Sequence, residues 1–490
     1  MFPFLVALTF ALGLFLRLAD LTNPPLDFHP TRQFFGAIRA RAIYQQTAPN
    51  VPEWQRDLSA RFMAREAQLE PLILEHIAAF LYRWTGENLA VPRALSGLFW
   101  VLGGFFLFRL SYSLLILESH HAAEAHYAAL AALLFYLFLP YAISASRSFQ
   151  PDPLMVLFLL AFWWAFDHWS RRPANWLWAV MAGLLGGLTI YIKLTAVFFV
   201  IGAAIGLLLA HNILIPVIKR PQTWLLVALG ILPGGLYVYD GLFGRGFLSD
   251  EFGGRTIPSL WLNPVFYLRW LDKLDNILPL WLVVLTLISL LTFANHPIRR
   301  LLTTLSVFYI LFGLIQTLHI ARHDYYSLPV VPMAALGLAP FAQVFVKQIL
   351  ARVGTRRERT ELFLLIIFSL LLITAQDYLA LRRNDNRPLA QMYTEIGETL
   401  QHQPGVVALT NDYGYPLFYY GWQNVSLWIQ PLADEFESSF AAQTHEKAFF
   451  LVTDFDEFAR QPQLSDKLSR YNILAQKNGY TIYDLKTLRP

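Results

Sequence analysis

Cysteine is absent from the 490 residues, which excludes disulfides, thiol nucleophiles and thiolate metal sites without identifying a compartment. Charge is scarce as well: Asp, Glu, Lys and Arg make up 15% of the chain, against roughly a quarter in soluble domains. The net charge of +4 is small for this length and gives no sign of a nucleic-acid partner. No HExxH, P-loop, GxSxG or dinucleotide fingerprint occurs, so the best-marked soluble catalytic classes are missing. What is present is apolar and aromatic: 56% hydrophobic residues, with 39 Phe, 22 Tyr and 14 Trp. Mean hydropathy is +0.42. Hydrocarbon, with amphipathic rings at its borders, is the main solvent such a chain suits.

Apolar runs of about 17 to 25 residues, each long enough to cross a bilayer, recur about eleven times. Their centres lie near Leu8, Val101, Leu133, Leu160, Gly183, Ala203, Val227, Leu285, Tyr309, Leu336 and Phe368. The first run has no basic residue ahead of it and no small-residue cleavage site behind it, so it reads as an uncleaved span rather than a signal peptide. Basic pairs fall on alternate connectors: Arg171 and Arg172, Lys219 and Arg220, Arg299 and Arg300, and the 347–359 stretch. The positive-inside bias makes that face cytoplasmic. An odd number of spans then places the N-terminus inside and the loops 21–91 and 240–276, with the tail, outside. The expectation is a multi-pass plasma-membrane protein with a membrane domain over 1–381 and an extracytoplasmic α/β domain over 382–490.

In that tail the pattern predicts helices over 388–401, 433–444 and 455–470, and strands over 406–410, 425–429, 448–453 and 480–485. In the first loop, Phe34, Phe35, Ile38 and Ala42 form an apolar stripe flanked by Arg32, Arg39 and Arg41. This is the pattern of an interfacial helix with snorkelling cations. A second such segment covers 72–84. No internal repeat or low-complexity linker stands out.

Three polar groupings fall on the expected outer face. Asp27 follows Pro24-Pro25 and precedes His29 and Arg32; it is placed to take a proton from a hydroxyl, or else is a solvated turn residue. Asp152, between Pro151 and Pro153, is a second acid for the same pocket or, read alone, a helix N-cap. Arg322-His323-Asp324-Tyr325-Tyr326 suits phosphate binding through charge-assisted hydrogen bonds, or an interfacial aromatic belt. Lys193, in a Tyr-Ile-Lys-Leu-Thr segment between two apolar runs, has the same two readings. Convergence on one face favours function over four separate bland explanations. Asp454 and Asp456 in the tail could hold a metal, but an Asp before a helix is more often a cap.

The order of these segments resembles the GT-C glycosyltransferases, in particular the bacterial relatives of the protein O-mannosyltransferases (glycosyltransferase family 39) and of the aminoarabinose transferase of lipid A. The resemblance is carried by Arg17 with Pro24-Pro25 and Asp27, Glu70-Pro71-Leu72 through Pro92-Arg93, Pro151-Asp152-Pro153, Lys193-Leu194-Thr195, and His323 to Tyr326 with Pro329 and Pro332. It implies a many-span fold and a polyprenyl-phosphate sugar donor. It also implies Asp27 as the general base and Asp152 as a second acid. His29, Arg32, Glu70, Lys193, Arg322, His323, Tyr325 and Tyr326 are the expected binding groups for the donor and its phosphate. No cofactor or metal is expected, because many members carry Asp-Glu where this chain has Asp27-Phe28. The acceptor is a protein, lipid or glycan hydroxyl, and the bilayer is the second partner. Competing readings are a transporter or flippase of lipid-linked sugars, which predicts broken helices and mid-membrane charges, a surface-glycan polymerase or ligase, and a non-catalytic scaffold.

Overall fold

A computed structural model describes residues 1–26, 28–65, 70–117, 121–248 and 256–489. Contacts divide the chain into two compact units that do not follow chain order: 1–21, 66–74 and 90–383 form one, and 22–65, 75–89 and 384–490 the other.

The first unit is helical throughout its described residues, and each of the expected span centres lies in a helix. Among the described residues five helices are long and apolar enough to cross a membrane, or up to seven if two bent pairs are each one span. The expected count of about eleven is therefore not established by length alone, since Phe2–Leu18, Trp176–Ile192 and Leu194–Ala210 are shorter apolar helices. The bends are 63° between Ala122–Phe138 and Pro140–Ser146, and 87° between Pro264–Ile277 and Leu280–Thr292. Both bends lie at the ends of apolar runs that the sequence marks as single spans centred near Leu133 and Leu285. Pro140 and Pro279 cannot continue the hydrogen-bond ladder of the preceding helix. Where helices touch, small residues let backbones approach: a Cβ on Gly187 would collide with the carbonyl oxygen of Leu229 on the helix Pro221–Tyr239.

The second unit is built on a five-stranded sheet of order β2-β1-β3-β5-β4, where β1 is Val406–Leu409, β2 Ser426–Leu427, β3 Phe449–Val452, β4 Tyr471–Lys477 and β5 Tyr480–Leu488. β1 runs parallel to β2 and β3, and β5 runs antiparallel to β3 and β4. Side chains alternate across the sheet with a period of two. Val406, Ala408, Leu451 and Ile482 join Tyr393, Ile396 and Leu417 on one face. Val407, Leu409, Phe450 and Val452 join Trp428, Phe440 and Leu464 on the other. Leu26, from the far end of the chain, packs against the first of these faces.

On that same face the helices Arg387–Thr399 and Tyr415–Gly421 cross at glycine. A Cβ on Gly397 would overlap the carbonyl of Gly421, and one on Gly421 the carbonyl of Tyr393. Because the obstacle is backbone, Gly397→Ala is expected to destabilise the protein by about 1–3 kcal/mol. A lowered unfolding midpoint in detergent checks this, and an unchanged midpoint would show that the crossing can open freely.

Two expectations about the tail fail for readable reasons. The helix expected over 455–470 is two short helices, Phe455–Ala459 and Pro462–Leu468, because Pro462 opens a new first turn. The strand Tyr471–Lys477 was missed although Asn478-Gly479, a strong two-residue hairpin signal, joins it to β5. Asp454 is a cap: its side chain accepts from Glu457 N at 2.9 Å.

Candidate active site

In the first unit the site starts from a break. The apolar stretch 176–210 would be one long helix, but Lys193 is extended at φ −148 and ψ 109 between Trp176–Ile192 and Leu194–Ala196. That break points a 4%-exposed ammonium inward. Lys193 Nζ donates to Asp152 Oδ1 at 2.6 Å and lies 5.0 Å from the ring centre of Tyr325 and 4.8 Å from that of Tyr326. A cation among π faces and a carboxylate is held by charge from several sides.

Asp152 is the first residue of the helix Asp152–Arg171, whose N-cap position is taken by Pro151. The N-cap reading of Asp152 is thereby corrected: its carboxylate turns to Lys193 while still standing at the positive end of the helix dipole. Its second oxygen, Oδ2, is buried and has no hydrogen-bond partner among the described residues. An acceptor left open beside a cation is an expensive arrangement for a purely structural pair.

Tyr325 and Tyr326 lie in a 3-10 turn, Asp324–Ser327. The turn is buttressed from below, where Trp270 Nε1 donates to Tyr309 Oη at 2.8 Å and Tyr309 Oη is 2.8 Å from Ser327 Oγ. His323 stacks on Tyr325 at 5.4 Å, and His319 stacks on Tyr326 at 5.4 Å. Arg322 is exposed on the approach to this turn, and Glu70 is half-buried three residues ahead of the helix Ile73–Thr85. The sequence reading missed His319 and Tyr141, the latter lying beside Asp324, Asp152 and Tyr325. The signal for Tyr141 was Pro140, which interrupts an apolar run.

Buried arginines fix the end of the first helix. Arg93 Nη1 donates to Leu21 O at 2.8 Å and its Nε to Arg147 O at 3.3 Å, while Arg147 donates to Ala19 O. Arg147 thereby satisfies the carbonyl of Ala19, the C-cap of the helix Phe2–Leu18, and complements its dipole, while Arg93 ties the following turn to the Arg147 backbone.

The second unit contains the rest of the candidates. Asp27 lies outside the described residues. His29, at φ 45, precedes the helix Pro30–Gln45, on whose first turn Arg32 lies; both are half-exposed. Arg41 does not snorkel. It is 4% exposed, pairs with Glu87 at 2.7 Å and lies between the rings of Tyr419 and Trp422 at 3.9 and 4.0 Å. The helix is therefore packed on the α/β layer through its cation as well as its apolar stripe.

Thr31 Oγ1 donates to Asp412 Oδ1 at 3.1 Å. Burial holds the Asp412 carboxyl above the usual carboxylate range, opposed by the Thr31 hydrogen bond and the charge of His29. Tyr393, beside it, is pushed up to about 12 by burial and by Asp412. A carboxyl that binds its proton more tightly folded than unfolded contributes stability fully present below the unfolded pKa and lost as pH rises through the folded one. Asp412→Asn should therefore gain on wild type in unfolding midpoint as pH rises from about 4 to 7. A difference that stays flat across that range would place the carboxyl in solvent.

Residues 70–237 match the family model described as dolichyl-phosphate-mannose-protein mannosyltransferase. No curated protein sequence matches significantly. Among solved structures, the chain is similar to ArnT from Cupriavidus metallidurans bound to undecaprenyl phosphate, at 13% identity over 98% of this chain and 97% of that one, with a TM-score of 0.57. For the apo state of the same protein the values are 14%, 98%, 97% and 0.59. It is also similar to the archaeal oligosaccharyltransferase AglB from Archaeoglobus fulgidus, solved with an inhibitory peptide and a dolichol-phosphate, at 14% identity over 96% of this chain and 72% of that one, TM-score 0.52. The family match thus spans the helices that carry Asp152 and Lys193, and the chain shares the GT-C fold of ArnT over nearly its whole length.

Proposed function

We propose that the protein transfers a glycosyl group from a polyprenyl-phosphate donor to an acceptor hydroxyl on the extracytoplasmic face, with Asp27 as general base. The observation that carries this is the buried Lys193 ammonium, held by Asp152 beneath Tyr325 and Tyr326. The acceptor oxygen attacks the anomeric carbon, the bond from that carbon to the phosphate oxygen breaks with its electrons leaving on the lipid phosphate, and the hydroxyl proton passes to Asp27. A single displacement of this kind inverts the anomeric centre. The phosphate leaves as an anion and needs no proton, so preorganised cations are the stabilisers that matter. Of the two cations assigned to the phosphate, Lys193 is buried and Arg322 is exposed at the approach.

Sidedness supports a lipid donor. The helix beginning at Asp152 ends at Arg171, about 30 Å away for a helix of this length, so the reacting groups and the basic connectors mark opposite faces. Nucleotide sugars are made in the cytosol, and a donor for the other face must arrive through the membrane on a lipid. ArnT and AglB were solved with undecaprenyl phosphate and dolichol-phosphate, ligands of the same chemical class. The acceptor can be a protein, lipid or glycan. In reconstituted vesicles the wild type should move labelled sugar from a polyprenyl-phosphate donor, fail with a nucleotide sugar alone, and lose transfer on Asp27→Asn. Transfer from a nucleotide sugar without lipid, or undiminished transfer by a folded Asp27→Asn protein, would overturn the reading.

A further inference from the structure

The segment that carries residue 27 is fastened to the C-terminal α/β layer on both of its sides. Ahead of it, Asn23 Nδ2 donates to Asn384 O at 2.7 Å, and Asn386 N donates back to Asn23 Oδ1 at 2.8 Å. Asn386 Nδ2 donates to Pro24 O at 3.0 Å. Leu26 is packed into the apolar face formed by Tyr393, Ile396 and Leu417. Behind it, Thr31 is bonded to Asp412, and Gln33, 1% exposed, donates from Nε2 to Phe28 O at 2.6 Å.

Asp412 is unusual in itself. It follows the C-terminal end of β1, and the edge where parallel strands end is where open α/β sheets place functional groups. Asp412, Tyr413 and Gly414 take left-handed backbone in succession, at φ 52, 56 and 73. Left-handed backbone costs a non-glycine residue such as Tyr413 about 1–3 kcal/mol unless its surroundings hold it. Strain on this scale, spent to present one carboxylate to one threonine of the first loop, points to a role in geometry. His29 and Tyr393 are the titratable groups beside it among the described residues.

We infer that Asp412 is a positioning residue, and that the C-terminal α/β layer is the platform on which the Asp27 segment is held for proton transfer, Asp412 acting through Thr31. This rests on the reading of Asp27 as the base. The layer is then a working part of the catalytic apparatus, whatever acceptor it meets.

The test uses the full chain in proteoliposomes. Asp412→Ala and Thr31→Ala should each lower kcat by roughly 10- to 100-fold, the cost of a misplaced catalytic group, with KM for the lipid donor unchanged. The double variant should be no slower than the slower single one, since coupled residues are not additive, and Thr31→Ser should restore the rate. Hydrogen exchange of peptides covering 22–33 should rise several-fold in Asp412→Ala while the hairpin 471–488 stays protected. Additive rate losses, a raised KM with kcat intact, or protection lost across the whole layer would overturn the assignment. Exchange is read without substrate, so a wild type that fails to use lipid donors would remove the proposed reaction while the fastening is still judged.

Discussion

Lys193→Met should destabilise the protein by about 3–5 kcal/mol, the usual result of stripping one partner from a buried ion pair. The reason is the remaining carboxylate. Asp152 is 2% exposed, one of its oxygens already lacks a partner, and Lys193 Nζ is the only group bonded to the other among the described residues. Without that ammonium the carboxylate is buried bare. Lys193→Met combined with Asp152→Asn should recover most of the lost stability, because replacing both members of a buried pair is often close to neutral. It should not recover transfer, because the leaving phosphate would still lack its cation. Unfolding in mixed detergent together with the vesicle assay separates the two effects. Wild-type stability in the single variant would show that water reaches the pair.

Asp27→Asn is the second large effect, of roughly 10²–10⁴-fold on kcat, the range over which a positioned general base contributes. Asparagine keeps the size and loses the basicity, so donor binding should survive while the chemical step fails. The acid limb of the pH–rate profile should vanish with it, since that limb reports protonation of the base. Asp27→Glu should keep the limb at a reduced rate. A limb that persists unchanged in Asp27→Asn would assign it to another group.

What could be read from the sequence was whatever depends on local pattern. Apolar runs marked the helices, because burying about twenty residues in hydrocarbon needs no knowledge of neighbours. Lys193 and the Tyr325-Tyr326 turn could be named, but their meeting could not, since Lys193 is 41 residues from its carboxylate. Asp152 between prolines spelled a cap, and only the position of Lys193 decides otherwise. Arg41 looked like a snorkelling cation because the residues that enclose it, Glu87, Tyr419 and Trp422, are far away in sequence. Asp412 carried no motif at all: its significance is a contact with Thr31, 381 residues away. The Asn478-Gly479 turn and the two proline breaks were legible and were passed over in favour of longer periodic stretches.

The strand order of the sheet also sets a timetable. β5, made after the other four strands, sits inside the sheet between β3 and β4, so until residues 480–488 have been synthesised, Phe449–Val452 is an open apolar edge. Such an edge recruits foreign strands. Asn23 must likewise wait for Asn384 and Asn386, 361 and 363 residues further along the chain. Chains that lack β5 should accordingly be better substrates for chaperones and proteases, and closure of the sheet becomes a late event in the maturation of the protein.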